Sequence, residues 1–202
     1  MVDAMGDSAA TRQRLIDAGT AEFAERGIAG ARVDRIAAAA QSNKAQIYTY
    51  FGSKEALFDA VFEARVASNM ETLPLTSDDL PAYAVKLYDM YLADPALVRL
   101  LTWQRLERKP VGSLFPSGAD DAVERDLADA QSRGVLVSDV APAEMWSMLI
   151  ALAGSWAQAA IVYAAGSDER PRDHTRRRKA LARTVERAFC AGTESGARLE
   201  LA

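Results

Sequence analysis

The chain has one cysteine and one histidine in 202 residues. A disulfide within the chain needs a second cysteine, and a structural zinc site needs several His or Cys ligands. The sequence also lacks a Gly-rich phosphate loop and any paired metal-ligand motif, so catalysis would depend on carboxylates alone. We therefore predict no metal site, no catalytic residues, no cofactor and no enzymatic activity.

Long apolar runs are absent as well. No stretch reaches the roughly 18 apolar residues that a membrane span requires, and the segment from Met1 to Arg12 has no apolar core of a secretory signal. The formal net charge of -4 excludes a protein that is basic over its whole surface, although a local basic patch remains compatible with it. These absences predict a cytoplasmic protein with no membrane partner.

Apolar residues recur at helical spacing along most of the chain. Leu57 and Val61 lie four positions apart, as do Phe58 and Phe62, and the short run 135–137 is the only strand-like stretch. The pattern predicts an all-α fold of about nine helices, with a longer loop over 110–116. The predicted helices span 8–26, 33–40, 44–50, 54–72, 80–93, 95–108, 119–133, 142–165 and 172–192.

Very short helices follow one another between Gly27 and Lys54, where the flanking helices are long. A helix of about seven residues is unstable alone, so its apolar side chains must pack against the neighbouring helices. This arrangement is typical of a helix-turn-helix. Asn43 is a good N-cap for its second helix, and Gln46 occupies the capping-box position. The apolar residues expected to hold this pair are Ile36, Ala37, Ala40, Ile47 and Phe51.

The same segment has a local positive charge. From Ala31 to Lys54 there are four basic residues and one acidic residue, Asp34, while the remainder of the chain is strongly acidic. A protein with this balance would meet nucleic acid along the positive stripe.

At these residues the sequence resembles the TetR family of bacterial transcriptional regulators. The resemblance rests on the stretches 36–40 (IAAAA), 44–51 (KAQIYTYF) and 53–58 (SKEALF), and it covers roughly residues 8–68. Gln41 and Ser42 depart from the family, which usually has glycine and a small apolar residue in this turn, and Ala45 stands where glycine is common. A left-handed backbone at Gln41 would cost about 1 kcal/mol or more.

The resemblance implies a three-helix DNA-binding domain over 8–68, with its helix-turn-helix core at 31–51. By position, the residues expected to contact DNA are Arg32, Lys44, Gln46, Tyr48, Thr49, Tyr50 and Lys54. Gln46 can bond adenine through two hydrogen bonds and is expected to contribute most to base choice. Tyr50 and Lys54 are expected to contact the DNA backbone, and Arg32 adds a possible phosphate contact. Lys44 and Lys54 could instead be ordinary solvated charges.

Residues 69–202 are expected, again by resemblance, to form a larger helical domain for ligand sensing and dimerisation. Small and apolar residues from Ala151 to Ala165 could form a helix-helix dimer face, or simply a monomer core. Aromatic, Met and acidic residues suggest a pocket for a lipophilic cation, although core packing is the competing interpretation. The candidate ligand residues are Tyr83, Tyr91, Trp103, Glu107, Met148 and Trp156.

Together these features predict a homodimeric repressor that binds a palindromic operator in double-stranded DNA and is released by a small-molecule effector. The alternative is a helical ligand-binding or adaptor protein whose helix-turn-helix no longer binds specific DNA. His174 and the basic run Arg176 to Lys179 are expected to be solvated or ion-paired rather than functional.

Overall fold

A computed structural model describes residues 2–110, 112, 119–157 and 159–192. Most of the predicted loop at 110–116 lies outside the described residues. Over the described part of the chain the fold is all-α, with nine α-helices, two short 3-10 turns and no β-strand, as predicted. None of the described helices is both long enough and apolar enough to cross a membrane.

The helices observed are α1 (Val2–Gly30), α2 (Val33–Ala39), α3 (Lys44–Phe51), α4 (Lys54–Thr72), α5 (Leu80–Ala93), α6 (Pro95–Arg108), α7 (Ala119–Ser132), α8 (Pro142–Ala153) and α9 (Pro171–Phe189). The 3-10 turns are Ser77–Asp79 and Gly154–Trp156. The predicted strand-like run at 135–137 forms one isolated bridge, between Leu136 and Cys190.

The prediction of one helix over 142–165 is wrong. Helix α8 ends at Ala153, and Ala157 has an extended backbone with φ -69° and ψ 168°. Glycine at position 154 favours this end because glycine has a low helix propensity. The chain then folds back, since the Ala165 N–H donates to the Trp156 carbonyl at 2.8 Å. Apolar spacing alone could not distinguish this loop from a continued helix.

The chain divides into two compact units. The first unit comprises Met1–Thr72 and Asp94–Pro116, and the second comprises Leu73–Ala93 and Ser117–Ala202. Helix α6 therefore belongs to the same compact unit as the N-terminal helices. The functional boundary between residues 68 and 69 stays a prediction.

The core of the first unit explains why its short helices are stable. Ile36 of α2 and Ile47 of α3 are fully buried against Phe23 of α1 and Phe58 of α4. The rings of Phe23 and Phe58 meet edge to face, 5.2 Å apart. Ala37 and Ala40 are also buried and Phe51 is partly buried on the same core, which confirms the predicted packing.

The second unit is built around α5 and α9, with α7 and α8 beside them. Its fully buried side chains include Tyr88 on α5, Leu127 on α7 and Met145 on α8. Val185 lies on the buried face of α9.

Candidate nucleic-acid interface

Helix α3 packs on the core through Ile47, with Tyr50 and Phe51 partly buried, and its other side chains are exposed. The Asn43 side chain caps its N-terminus by accepting a hydrogen bond from the Gln46 N–H at 3.0 Å, as predicted. Ile47 is the buried residue of this helix, whereas Tyr48 is 50% exposed. Lys44, Ala45, Gln46 and Thr49 are exposed too. The helix thus presents a polar face of the kind that a major groove accepts.

The turn before α3 has the geometry of a regular helix-turn-helix despite its unusual residues. Gln41 has φ +51°, which lies in the left-handed region. Its N–H donates to the Ala38 carbonyl at 3.1 Å, and the Ser42 N–H donates to the Ala37 carbonyl at 2.9 Å. These two bonds form a Schellman motif at the end of α2. The turn therefore tolerates the strain at Gln41 rather than adopting another geometry.

Two polar side chains of α3 are held by neighbours. The Ser42 hydroxyl donates to Gln46 Oε1 at 2.5 Å, which orients the Gln46 amide. The Thr49 hydroxyl donates to the Ala45 carbonyl at 2.9 Å. Since that hydroxyl is occupied by the backbone, a contact from Thr49 to a base would use its methyl group.

The basic residues of this surface have acidic neighbours in the same unit. Lys44 and Arg32 both pair with Asp34, and all three side chains are at least 44% exposed. Such exposed pairs contribute little stability, so a phosphate can replace the carboxylate. Arg35 instead donates from Nε to Glu22 Oε1 at 2.8 Å. The bond from Arg35 lowers the pKa of Glu22, which keeps this carboxylate ionised at neutral pH.

Lys54 and Tyr50 have structural contacts in addition to their predicted roles. Lys54 Nζ lies 3.4 Å from the Ala29 carbonyl and 3.3 Å from the Ala31 carbonyl, and so connects the start of α4 to the turn between α1 and α2. The Tyr50 hydroxyl is 3.1 Å from Ser8 Oγ on α1. Tyr50 therefore ties α3 to α1, whereas Lys54 ties α4 to the turn after α1, and the contact of both with DNA stays a prediction.

A kink in α1 lies beside this surface. Gly27 has φ +71° and ψ -178°, which interrupts the helix. In an unbroken helix the Ala24 carbonyl would accept a hydrogen bond from Ile28, and the Glu25 carbonyl one from Ala29. The kink releases these four backbone groups, and each must find another partner.

Three side chains of α6, spaced four residues apart, supply those partners. Arg99 donates to the Ala24 and Glu25 carbonyls at 2.5 and 2.9 Å, and Trp103 Nε1 donates to Ala24 at 3.3 Å. Glu107 accepts from the Ile28 N–H at 3.1 Å and from the Ala29 N–H at 2.7 Å. We call Arg99, Trp103 and Glu107 the kink clamp. Sequence reasoning missed its function, because Gly27 signals a break in the helix but not the residues that bind the released backbone groups.

The six predicted ligand residues are divided between the two units. Trp103 and Glu107 belong to the first unit, whereas Tyr83, Tyr91, Met148 and Trp156 belong to the second. Burial raises the pKa of Tyr83 to about 12, and burial also raises the pKa of Tyr91. Met148 and Trp156 line two separate cavities of the second unit.

His174 is buried rather than solvated, contrary to the prediction. It is 7% exposed, and its Nδ1 lies 2.7 Å from the Tyr88 hydroxyl. Arg177 is equally buried and donates to Glu169 Oε2 at 2.8 Å. Arg176 and Arg178 form ion pairs with Asp173 and Asp89 of the same chain, whereas the expectation was a solvated face or ion pairs within a dimer. The α9 spacing places His174 and Arg177 on the same face as Leu181, Val185 and Phe189, which is why they are buried.

This fold and this exposed, capped second helix define a helix-turn-helix DNA-binding regulator. Known families match both parts of the chain: "Bacterial regulatory proteins, tetR family" over residues 15–61, and "Tetracyclin repressor-like, C-terminal domain" over residues 79–187.

Individual proteins match in the same way. The HTH-type transcriptional repressor SCO4008 of Streptomyces coelicolor is 37% identical over 154 residues, covering 75% of this chain and 80% of that protein. The HTH-type transcriptional repressor NicS of Pseudomonas putida is 30% identical over 155 residues, covering 70% of this chain and 73% of that protein. The crystal structure of SCO4942 from Streptomyces coelicolor superposes with a TM-score of 0.72 at 36% identity, covering 89% of this chain and 98% of that one. The chain belongs to the TetR family, and it is a DNA-binding transcriptional regulator rather than an enzyme.

Proposed function

We propose that this protein is a repressor that binds a palindromic operator as a homodimer and leaves it when a small molecule binds the second unit. The observation that carries the proposal is the exposed polar face of α3. Ile47 packs this helix on the core and so leaves the polar side chains exposed. The names of SCO4008 and NicS, both repressors, support the direction of regulation.

On the operator, each exposed side chain of α3 has a distinct task. Gln46, oriented by Ser42, bonds adenine through its amide, and the Thr49 methyl packs against a thymine methyl. Lys44 gives up its ion pair with Asp34 and contacts a guanine or a phosphate instead. Arg32, Tyr48, Tyr50 and Lys54 contact the DNA backbone or the groove edge and set the orientation of α3.

Dimerisation uses the exposed face of α8. Ala143, Ser147 and Ala151 are exposed and lie four residues apart, so they share one face of the helix. Small residues at this spacing let a second helix approach closely. Met148, 42% exposed, adds apolar surface beside them. A two-fold axis at this face would present two copies of α3 to two half-sites.

Release requires that the effector bind more tightly to the conformation in which the two half-sites are misplaced. Operator affinity then falls by the ratio of the effector's affinities for the two conformations. The lipophilic cation predicted from the sequence relied on Glu107 for its counter-charge. Since both oxygens of Glu107 accept backbone N–H groups in the kink clamp, no carboxylate among the six predicted ligand residues is left for a cation.

The test is selection of bound duplexes from random DNA at physiological salt, followed by titration of the selected duplex and a shuffled control. A palindrome preferred by about a thousandfold is the expected result. Gln46→Ala should then reduce the preference between operator and shuffled DNA by about tenfold or more, since one bidentate base contact is lost. Lys44→Ala should weaken binding, whereas Lys86→Ala, at an exposed position of α5, should leave it unchanged.

Equal losses on operator and shuffled DNA for Gln46→Ala would contradict its assignment to base choice. Absent or salt-independent DNA binding would contradict the whole proposal, and would favour the adaptor protein with a degenerate helix-turn-helix.

A further inference from the structure

A cavity of about 490 Å³ lies at the start of α9 in the second unit. Its volume is in the range of small-molecule sites in proteins. It contains none of the predicted ligand residues except Trp156, and its position was not expected from the sequence. The lining residues are Trp156, Tyr163, Glu169, Arg170, Asp173, Arg176, Arg177 and Ala180.

The carboxylates of this cavity are fully engaged. Asp173 accepts from Arg170 Nε at 3.0 Å through one oxygen and from Arg176 Nη1 at 2.9 Å through the other. Glu169 Oε1 accepts from the Tyr163 hydroxyl at 3.1 Å, and its Oε2 accepts from Arg177. The bond from Arg177 lowers the pKa of Glu169, so this carboxylate stays ionised. Neither carboxylate is left to neutralise a bound cation.

The guanidinium groups, in contrast, have donors to spare. Three arginines face two carboxylates, which gives the lining a net charge of +1. Arg177 is 7% exposed, and its Nη1 is buried without a hydrogen-bond partner among the described residues. The Tyr88 hydroxyl, which is bonded to His174 Nδ1, lies close enough to Arg177 to help raise its pKa, but Nη1 itself forms no hydrogen bond within the described residues. A buried guanidinium with an unused N–H group favours an acceptor, and above all an anionic one.

Two aromatic side chains complete the lining. Tyr163 stacks on Arg177, with the guanidinium carbon 5.0 Å from the ring centroid. Trp156 meets Tyr88 edge to face at 5.9 Å and is itself partly exposed to the cavity. These rings offer a flat apolar surface beside the positive charge.

We propose that this cavity binds an organic carboxylate, whose anionic head is held by Arg177 and the neighbouring Arg170 and Arg176, and whose flat apolar body packs on Trp156 and Tyr163. Its use as the effector rests on the function proposed above, while its binding does not. An inorganic anion would satisfy the arginines and leave the aromatic surface uncovered, so the organic acid is the better fit.

The test is calorimetric titration of the full chain, without DNA, with benzoate, hexanoate and 1-naphthoate. Inorganic phosphate, 1-naphthalenemethanol and 1-naphthylmethylammonium are the comparison ligands. At least one carboxylate should bind about tenfold or more tightly than phosphate and than the neutral and cationic naphthalenes. Arg177→Lys should lower the affinity for that carboxylate by about tenfold, because lysine lacks the planar fork of donors. Lys179→Gln, at an exposed position of the same helix, should bind it as the unchanged protein does.

Arg177 is buried, and its replacement could prevent folding. Arg176→Gln removes a charge from the exposed edge of the cavity, and a several-fold loss of carboxylate affinity is expected there too. Binding of no carboxylate, equal binding of the neutral naphthalene, or preference for phosphate or the ammonium would each overturn the inference. If the carboxylate binds but does not release operator DNA, the binding site is confirmed and its proposed role as the effector site is contradicted.

Discussion

At the scale of single residues, Gln41 adopts a backbone conformation that is strained for a residue other than glycine. Its backbone is left-handed at φ +51°, and its side chain is exposed on the turn between α2 and α3. Glycine reaches this conformation without strain. Gln41→Gly should therefore raise the free energy of unfolding of the first unit by about 0.4–1 kcal/mol. Denaturant unfolding of the variant and of the unchanged protein, monitored by helix content, measures the difference in the free energy of unfolding.

Ala39→Gly is the matched control, because Ala39 is also exposed and lies two residues earlier within α2. Glycine in a helical position should destabilise the protein by about 1 kcal/mol. A loss of stability in Gln41→Gly would show that the turn does not favour glycine.

Residue-level predictions succeeded where the signal was local. The Asn43 cap, the burial of Ile47 and the exposure of Gln46 follow from helix periodicity and capping rules alone, and the structure confirms them. His174 and Arg177 were misjudged because their residue type usually means exposure. Their three-residue spacing, continued by Leu181, was the better signal, since a helix buries whichever side chains share its core face.

At the scale of elements, the kink clamp determines how α1 leads into α2. Glu107→Ala leaves the Ile28 and Ala29 N–H groups without their acceptor, and the first of these is partly buried. The expected loss is about 1–3 kcal/mol in the free energy of unfolding. Glu107→Gln keeps one acceptor oxygen and should lose less. Chemical denaturation of the full chain measures both.

A comparison with Glu63→Ala tests whether the effect belongs to the clamp. Glu63 is an exposed glutamate of α4 in the same unit, and its loss should change stability by less than about 0.5 kcal/mol. Equal stability of Glu107→Ala and Glu63→Ala would argue against a structural role for the clamp.

The ends of the helices could be predicted where local sequence marks them, and the contacts between distant helices could not. Seven of the nine predicted helices correspond closely to the observed ones, because caps, prolines and apolar spacing mark their ends. Helix α1 extends beyond both ends of the predicted 8–26, since the chain continues as helix after the kink at Gly27. The end of α8 was missed, since Gly154 is a weak stop signal within an apolar run. The clamp was missed for another reason. Nothing in the sequence near Gly27 indicates that α6, some 70 residues later, binds the released backbone groups.

At the scale of the whole molecule, the all-α fold class and the exposed polar face of α3 could be predicted from sequence, because both depend on local pattern and a specific motif. The cavity proposed as a ligand site could not, because it requires side chains from α9 and from the loop before it to meet in space. The pairing of α6 with the N-terminal helices also depends on tertiary contacts. The proposed dimer belongs to this scale too, and it would link the α8 face to operator affinity.

Ala151 lies on the exposed face of α8 proposed to meet a second copy. On a two-fold axis, Ala151→Glu brings two carboxylates close together in a desolvated contact, which is strongly unfavourable. The variant should therefore be monomeric by light scattering at concentrations where the unchanged protein is dimeric. A monomer engages one half-site at a time, so affinity for the palindrome should fall by about 100-fold or more.

Affinity for a single half-site should change little, because α3 and the core beneath it lie in the first unit, away in sequence from position 151. Ala128→Glu places the same charge on an exposed position of α7 and should remain dimeric with full operator affinity. If Ala151→Glu were also dimeric, the contact between protomers would lie on another surface. The spacing of the two half-sites would then have to be derived from that surface instead.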